Sequence, residues 1–308
     1  MKSQLNNDFL VSVVVTTKNE QKHIRRCLLS IKKQTYFFIE IIVVDNASTD
    51  QTRSIAKEYT SLVFDKGPER SAQRNYGMID IAKGKYVMFV DADMILSPCL
   101  IESCVRKIES EQCAALHISE VVLGISYFSR VRRFERSFYD GTVIDGARFF
   151  LKDEFVEVGG FDEKMSGPED WDIDKKIKQK KTISLLGKNQ THFTEDMSKW
   201  SIADYIQNRG VIVSRHENVI YHNETEFELK KYLSKKAYYA ASFDNYINKW
   251  GQKDIDIQKQ LGVIYRFFTV FLEQGKWKRT LSYFHLTMGV YFLRFLVGIK
   301  FLLRKGQV

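Results

Sequence analysis

Three places in the 308-residue sequence put carboxylates where they could do chemistry. In "KYVMFVDADM" an apolar run, Tyr86 to Val90, meets Asp91, and Asp93 follows after one alanine. In "FIEIIVVDN" a second apolar run ends in Asp45, and "PEDWD" gathers Glu169, Asp170 and Asp172. A strand that ends in Asp-x-Asp sets two oxygen donors at a sheet edge, which suits a hard divalent cation such as Mg2+ or Mn2+. The same pattern fits an aspartyl nucleophile, as in some phosphatases, or a carboxylate that caps the next turn. The carboxylates of "EDWD" open a helical stretch, where they favour the helix dipole whatever else they do.

The surrounding pattern says what must hold these groups. "FLVSVVVTT" (9–17), "FIEIIVVDN" (38–46), "SLVF" (61–64) and the run to Asp91 are short, continuously apolar segments of the kind buried on both faces of a sheet. Between the first two, Ile24, Cys27, Leu28 and Ile31 fall at i, i+3, i+4, i+7, one face of a helix. "STDQ" (48–51) reads as a capping box for a helix to about Tyr59. "ERSAQRNYGMIDIA" (69–82) reads as one helix closed by Gly84, and Ser97-Pro98 as the start of another. Strand and helix thus alternate three times, which predicts a parallel sheet with crossover helices and ligands at the carboxyl ends of its strands. No Gly-x-Gly-x-x-Gly follows the first strand and no Walker-type lysine loop occurs, so dinucleotide and P-loop readings are disfavoured. Further on, 115–125 reads as a strand, 128–141 as a helix, and 225–247 as a helix rich in lysine and tyrosine.

Composition sets limits. Apolar content of 44% and only three prolines indicate a globular chain. Cys27, Cys99, Cys104 and Cys113 lack metal-ligand spacing and read as free thiols in a reducing compartment. The first ten residues hold no apolar segment of signal-peptide length, so the sequons at Asn46, Asn189 and Asn223 read as incidental. The net charge is +9, and residues 225–308, with 15 Lys/Arg against 6 Asp/Glu, account for all of it. A basic tail on a balanced body points to an anionic partner, and without a nucleic-acid-binding module membrane phosphate is preferred over nucleic acid.

Taken in order, "VSVVVTTKNE", "DNASTD", "ERSAQRNYG", "FVDADM", "VGGFDE" and "PEDWDID" resemble a glycosyltransferase of family 2, over roughly residues 10–180 and again near "IYHNETEFELKKYL" at 220–233. The resemblance implies an α/β GT-A fold, a Rossmann-like and mostly parallel sheet with flanking helices. It implies an inverting transferase that moves a sugar from a UDP- or GDP-sugar to a hydroxyl of a glycan or lipid-linked saccharide, with Mn2+ or Mg2+. Carried over by position, Thr16, Asn19, Glu20, Asp45, Arg74 and Asp91 would hold the nucleotide-sugar. Asp93, Asp91 and His222 would hold the metal, and Asp170, with Glu169 beside it, would be the catalytic base. One departure leaves the base open. The 52 residues between "ED" and the histidine exceed the family's usual gap, so 187–210 reads as an insertion, and its Glu195 and Asp196 are rival bases. The alternatives are a polyprenyl-phosphate glycosyltransferase, whose acceptor is already anionic and needs no base, against which "EDWD" argues, and a catalytically silent sugar-nucleotide-binding subunit, against which intact Asp91, Asp93 and Asp170 argue.

The remainder, 225–308, reads as a helical, membrane-associating appendage to a catalytic domain spanning 1–224. Its segment 281–303 is 23 residues long, enough to span a bilayer, but Arg294 would sit deep inside it. Phe284, Met288, Tyr291, Phe295, Ile299 and Leu302 form an apolar stripe at helical spacing. A helix lying in an anionic membrane surface is expected, on the cytoplasmic side, peripheral or shallowly inserted; the other readings are a helical pair packed on its own catalytic domain or on a partner chain, as in a homo-oligomer, and a spanning helix.

Overall fold

The computed structural model describes residues 9–186, 218–240 and 242–305, the last five without their side chains. The expected insertion at 187–210, with Glu195 and Asp196, lies outside the described residues. Among the described residues ten strands can be traced: β1 Val11–Thr17, β2 Ile39–Asp45, β3 Val63–Asp65, β4 Tyr86–Asp91, β5 Met94–Leu96, β6 Ala115–Ile118, β7 Glu120–Leu123, β8 Ala147–Leu151, β9 Ile183–Leu186 and β10 Ile220–Asn223. Seven form one sheet in the order β3-β2-β1-β4-β8-β6-β9; the others form a small sheet, β5-β10-β7. In the large sheet the β3–β2, β2–β1, β1–β4 and β6–β9 pairs are parallel, and β8 runs antiparallel to both neighbours.

Register places the chemistry. Thr17 lies opposite Asp45 and Thr16 opposite Asp91, so β1, β2 and β4 end together at one edge. The strands are apolar throughout because both faces are covered. Val11, Val13 and Val15 pack against α1 (Ile24–Lys32) and its Ile24, Cys27, Leu28 and Ile31, while Val14, Ile42, Val44 and Phe89 face the opposite layer. Each such side chain, fully withdrawn from water, contributes roughly 1.5–3 kcal/mol.

Several local expectations are corrected. The 48–51 capping box does not form: the Ser48 hydroxyl turns back to Asp45, and Asp50 instead accepts the Thr52 amide that opens α2 (Thr52–Lys57). The helix expected over 69–82 divides into α3 (Arg70–Asn75) and a π turn, Tyr76–Ile81, closed by the Ala82 amide donating to the Gly77 carbonyl. The π turn lies so close to the sheet that a Cβ on Gly77 would come 2.4 Å from Val14 Cγ1. The strand expected over 115–125 is two strands, broken at Ser119 so that β6 joins the large sheet and β7 the small one. Leu100, not Pro98, starts α4 (Leu100–Glu111). α5 (Tyr127–Arg136), α6 (Lys152–Glu157) and α7 (Glu169–Lys178) follow.

The region 225–247 is not one helix but α8 (Leu229–Ala240) and α9 (Phe243–Trp250). After α10 (Ile255–Leu261) and the short α11 (Val270–Leu272) and α12 (Trp277–Ser282), the chain enters the 22-residue α13, Phe284–Lys305. No helix among the described residues is long and apolar enough to cross a membrane. Arg294 points inward: its Nε donates to Glu135 Oε1 at 3.0 Å and its Nη2 to the Tyr139 hydroxyl at 2.9 Å. Leu286, Val290 and Leu293 pack with it against Val131, Phe134 and Phe138. Of the stripe read from sequence, Phe284, Met288, Phe295 and Ile299 are exposed on the outward face of α13; Tyr291 belongs to the packed side, Phe292 takes its place outside, and the Leu302 side chain lies outside the described residues.

Candidate active site

The site lies at the common carboxyl edge of β1, β2 and β4. Two loops are locked together there before any ligand is considered. Asn19 adopts a left-handed conformation (φ 55°), which turns its amide toward Ser48 Oγ (2.7 Å) while its side-chain oxygen accepts the Thr49 amide (2.8 Å). Asp45, fully buried, accepts from the amide and hydroxyl of the same Ser48 (2.8 and 2.5 Å). Both oxygens of Asp45 thus shape the loop.

At the centre stands Arg74, 1% exposed although it carries a full charge. Its guanidinium lies over the Phe89 ring (3.9 Å from the centroid) and donates to Asp91 Oδ1 at 3.2 Å and Asp170 Oδ1 at 3.1 Å. Glu169 Oε1 is 3.5 Å away, and Arg70 Nε reaches the same oxygen at 2.6 Å. Burying a charge is tolerable only with such pairing. Thr16 adds a hydroxyl donor to Asp91 at 3.2 Å. Burial alone would raise the Asp91 carboxyl, but Arg74, Arg148 and Arg70 overcome it and hold the group well below the usual range. Glu169 behaves oppositely: burial and the neighbouring Asp170 push it up against the pull of Arg70 and Arg74. Asp170 keeps its carboxylate partly open to solvent, with 30% of the side chain accessible. It sits over Gly146, where a Cβ would come 2.7 Å from its own Cβ, so only glycine leaves it room.

His222, on β10, bridges two carboxylates: Nε2 is 3.2 Å from Asp93 Oδ2 and Nδ1 is 2.9 Å from Glu120 Oε1. Burial, which would lower its pKa, is outweighed by these two charges, and the imidazole is held well above its ordinary value. Glu120 is itself held by Arg148 (3.0 Å) and Arg136. The other oxygen of Asp93, Oδ1, is buried without a hydrogen-bond partner. Across the cleft the Glu20 carboxyl is pushed up to about 7 by burial and by Asp93, with Lys231 and Lys235 pulling it down.

The described residues include no group of three or more His, Cys, Asp or Glu arranged to hold a metal by themselves. The donors present nevertheless fit a cation. Asp93 offers an unpartnered buried oxygen, and His222, oriented through Nδ1 by a carboxylate, is the arrangement common for a ligating histidine. Mg2+ and Mn2+ in phosphate sites take few protein ligands and complete their shell from phosphate oxygens and water.

The structure thus brings Thr16, Glu20, Arg74, Asp91, Asp93, Glu169, Asp170 and His222 to one cleft, with Asn19 and Asp45 forming its loop wall. Four residues were missed. Arg70 precedes Arg74 by one helical turn, a spacing visible in "ERSAQR". Glu120 and Arg148 are charges inside otherwise apolar strands, a signal of buried pairing. Lys235, on α8, is brought near Asp91 and Asp93 only by the return of the chain from β10.

Residues 12–158 match the model of the glycosyl transferase family 2 family. That segment is a family 2 glycosyltransferase domain. The family 2 domain contains Thr16 through Arg148, whereas Glu169, Asp170, His222 and Lys235 lie beyond the matched residues. Among curated proteins the chain is similar to the glycosyltransferase GlyG of Streptococcus pneumoniae, 28% identical over 198 residues, 60% of each chain. It is also similar to GlyA of the same organism, 33% identical over 146 residues, 40% of this chain and 20% of GlyA. The chain therefore spans between one fifth and three fifths of these relatives. Two solved structures share the fold. The mannosyltransferase PcManGT of Pyrobaculum calidifontis, in complex with GDP-Man and Mn2+, aligns with a TM-score of 0.58 at 17% identity over 95% of this chain and 86% of its own. TarS 1–349 of S. aureus, in complex with UDP-GlcNAc, aligns with a TM-score of 0.52 at 18% identity over 91% and 79%. The mostly parallel α/β architecture around the family 2 domain is the GT-A fold expected from sequence.

Proposed function

We propose that this protein is an inverting, metal-dependent glycosyltransferase that moves a sugar from a UDP- or GDP-sugar to a hydroxyl of a saccharide or lipid-linked saccharide. The observation that carries this reading is the single buried guanidinium of Arg74, which donates to both Asp91 and Asp170, each with 30% of its side chain accessible.

The chain's own groups account for the steps. Asp91 and Thr16 offer hydrogen bonds to ribose or sugar hydroxyls, and the loop wall built on Asn19 and Asp45 receives the nucleotide. Asp93, with His222 held behind it by Glu120, would bind Mn2+ or Mg2+. When bound, that cation neutralises charge developing on the diphosphate. Asp170 accepts the proton of the acceptor hydroxyl as its oxygen attacks the anomeric carbon. The bond from that carbon to the diphosphate oxygen breaks, its electron pair leaves with the nucleoside diphosphate, and one displacement inverts the configuration. Glu169 is the weaker candidate for base, because its carboxylate is fully buried and tied to Arg70.

A thermal-shift screen of UDP-, GDP- and dTDP-sugars with Mn2+ identifies the donor, and turnover is then measured for Asp170→Asn. Retained donor binding with transfer lowered by roughly 10²–10⁴ fits the role. Undiminished transfer in Asp170→Asn removes Asp170 as base and favours a phosphate acceptor, or Glu195 or Asp196. Donor binding without turnover toward any acceptor leaves a sugar-nucleotide-binding subunit.

A further inference from the structure

The C-terminal helices carry a face that the fold itself does not use. On α13 the inward side is fully engaged, with Leu286, Val290 and Leu293 in the core and Arg294 fixed to Glu135 and Tyr139. The outward side of the same helix is apolar: Phe284 is 64% exposed, Met288 52% and Phe295 61%. Trp277 and Leu281 of α12 and Phe268 and Leu272 just before it are exposed as well. Scattered single apolar residues on a surface need no explanation, but a succession along one structural element does.

The charge around this face identifies its occupant. From Gln274 to Lys305 the sequence contains no Asp or Glu; of its seven Lys or Arg, Lys276, Arg279 and Arg294 bond inward to the protein, and the side chains of Arg304 and Lys305 lie outside the described residues. Lys278 beside Trp277 and Lys300 near the far end of the apolar row are both exposed. The row's spacing of three and four residues would also suit a helix from a second copy, but pairing two such elements would bring their bases together with no acid to offset them. An anionic lipid surface meets both properties at once, taking the apolar side chains below the headgroups and the lysines among them. Spanning is disfavoured by the same structure, since it would tear Arg294 from a buried carboxylate and strip the inner face of α13 from α5.

We propose that the outer face of α12 and α13 docks the protein, in plane, on an anionic bilayer surface. The catalytic cleft is then held beside the membrane while the whole domain stays in water. This inference does not depend on the reaction, because a vesicle assay needs neither donor nor acceptor.

The test uses the full chain, sedimented with vesicles of phosphatidylcholine alone and of phosphatidylcholine mixed equally with phosphatidylglycerol. Binding is expected to the mixed vesicles, weaker to the neutral ones, and partly reversed by about 0.5 M salt, where screening is short-ranged. The triple variant Phe284→Ser, Met288→Ser, Phe295→Ser should partition roughly tenfold or more less with its melting temperature unchanged, because all three side chains are exposed. Lys278→Glu with Lys300→Glu should erase the preference for anionic lipid. A wild-type chain that remains in the supernatant with both vesicles overturns the proposal. So does a concentration-dependent dimer in lipid-free sedimentation that the triple variant abolishes, which would make the face a seam between copies. Resistance of the bound protein to alkaline carbonate would overturn in-plane docking in favour of spanning.

Discussion

Arg74 and Asp170 meet at 3.1 Å although they are 96 positions apart in the chain, and the other terminal nitrogen of the same guanidinium holds Asp91 at 3.2 Å. The carboxylate proposed as base and the one proposed to hold the donor are thus positioned by one planar group resting on Phe89. A lysine could not do this, since its ammonium is a single point rather than a fork.

Arg74→Lys should therefore lose stability and donor affinity together. Asp91 and Asp170 each keep 30% of the side chain accessible, so imperfect pairing should cost less than the roughly 3–5 kcal/mol of a broken, fully buried pair. Urea unfolding and calorimetry with UDP or GDP plus Mn2+ check both. A variant with unaltered unfolding midpoint and affinity would show that Arg74 positions nothing.

Asp93→Ala should abolish the Mn2+ dependence of nucleotide binding and leave the melting temperature close to wild type, because the residue lies at the sheet edge. Glu120→Gln tests the support behind His222. It should weaken Mn2+ binding by roughly 10- to 100-fold, the usual effect of losing an outer partner of a ligating histidine. Calorimetric Mn2+ titration in the presence of nucleotide is the readout, and equal affinity in both variants would remove the metal from this corner of the cleft.

On α8, Lys231 and Lys235 stand one turn apart, the charges of both pull the Glu20 carboxyl down, and Lys235 stands 5.9 Å from the Tyr239 ring. We expect them to contact the departing diphosphate. Lys231→Gln with Lys235→Gln should weaken binding of inorganic pyrophosphate with Mn2+ several-fold and lower the release rate of sugar from the donor, with Lys235→Arg restoring most of it. Unchanged pyrophosphate affinity would assign the two lysines to the solvated surface.

A buried pair away from the cleft predicts a pH dependence. His117 Nε2 meets Asp174 Oδ2 at 2.5 Å, with Asp145 3.5 Å from Nδ1. Burial lowers the affinity of His117 for a proton, but Asp174 and Asp145 outweigh it and the pKa is raised. A raised folded pKa contributes stability that is fully present below the unfolded value and is lost as pH rises through the folded one. The stability gap between wild type and His117→Gln should therefore be widest near pH 6 and narrow toward pH 9, as read from urea midpoints. A gap constant across that window would mean that His117 stays neutral.

Much of this protein is local in the chain. The apolar strands, the spacing of Ile24, Cys27, Leu28 and Ile31, and the Asp-x-Asp at the end of β4 are determined by side chains within a few residues of one another, and they were legible as a strand-helix alternation with carboxylates at its edge. Other features are not local. The π turn at Tyr76 follows from how closely Gly77 approaches Val14, and the division of 115–125 between two sheets follows from where β8 and β10 offer partners. Glu120, Arg148 and Lys235 join the cleft only because β7, β8 and α8 return to it. The side of α13 that faces the protein was settled by Arg294 finding Glu135, a residue 159 positions earlier, since a helical period reports that one face is apolar but not which face has a partner. Sequence determined which elements form and which groups could react; tertiary structure decided which charges neutralise one another, because burial makes pairing obligatory and only the fold brings distant partners together.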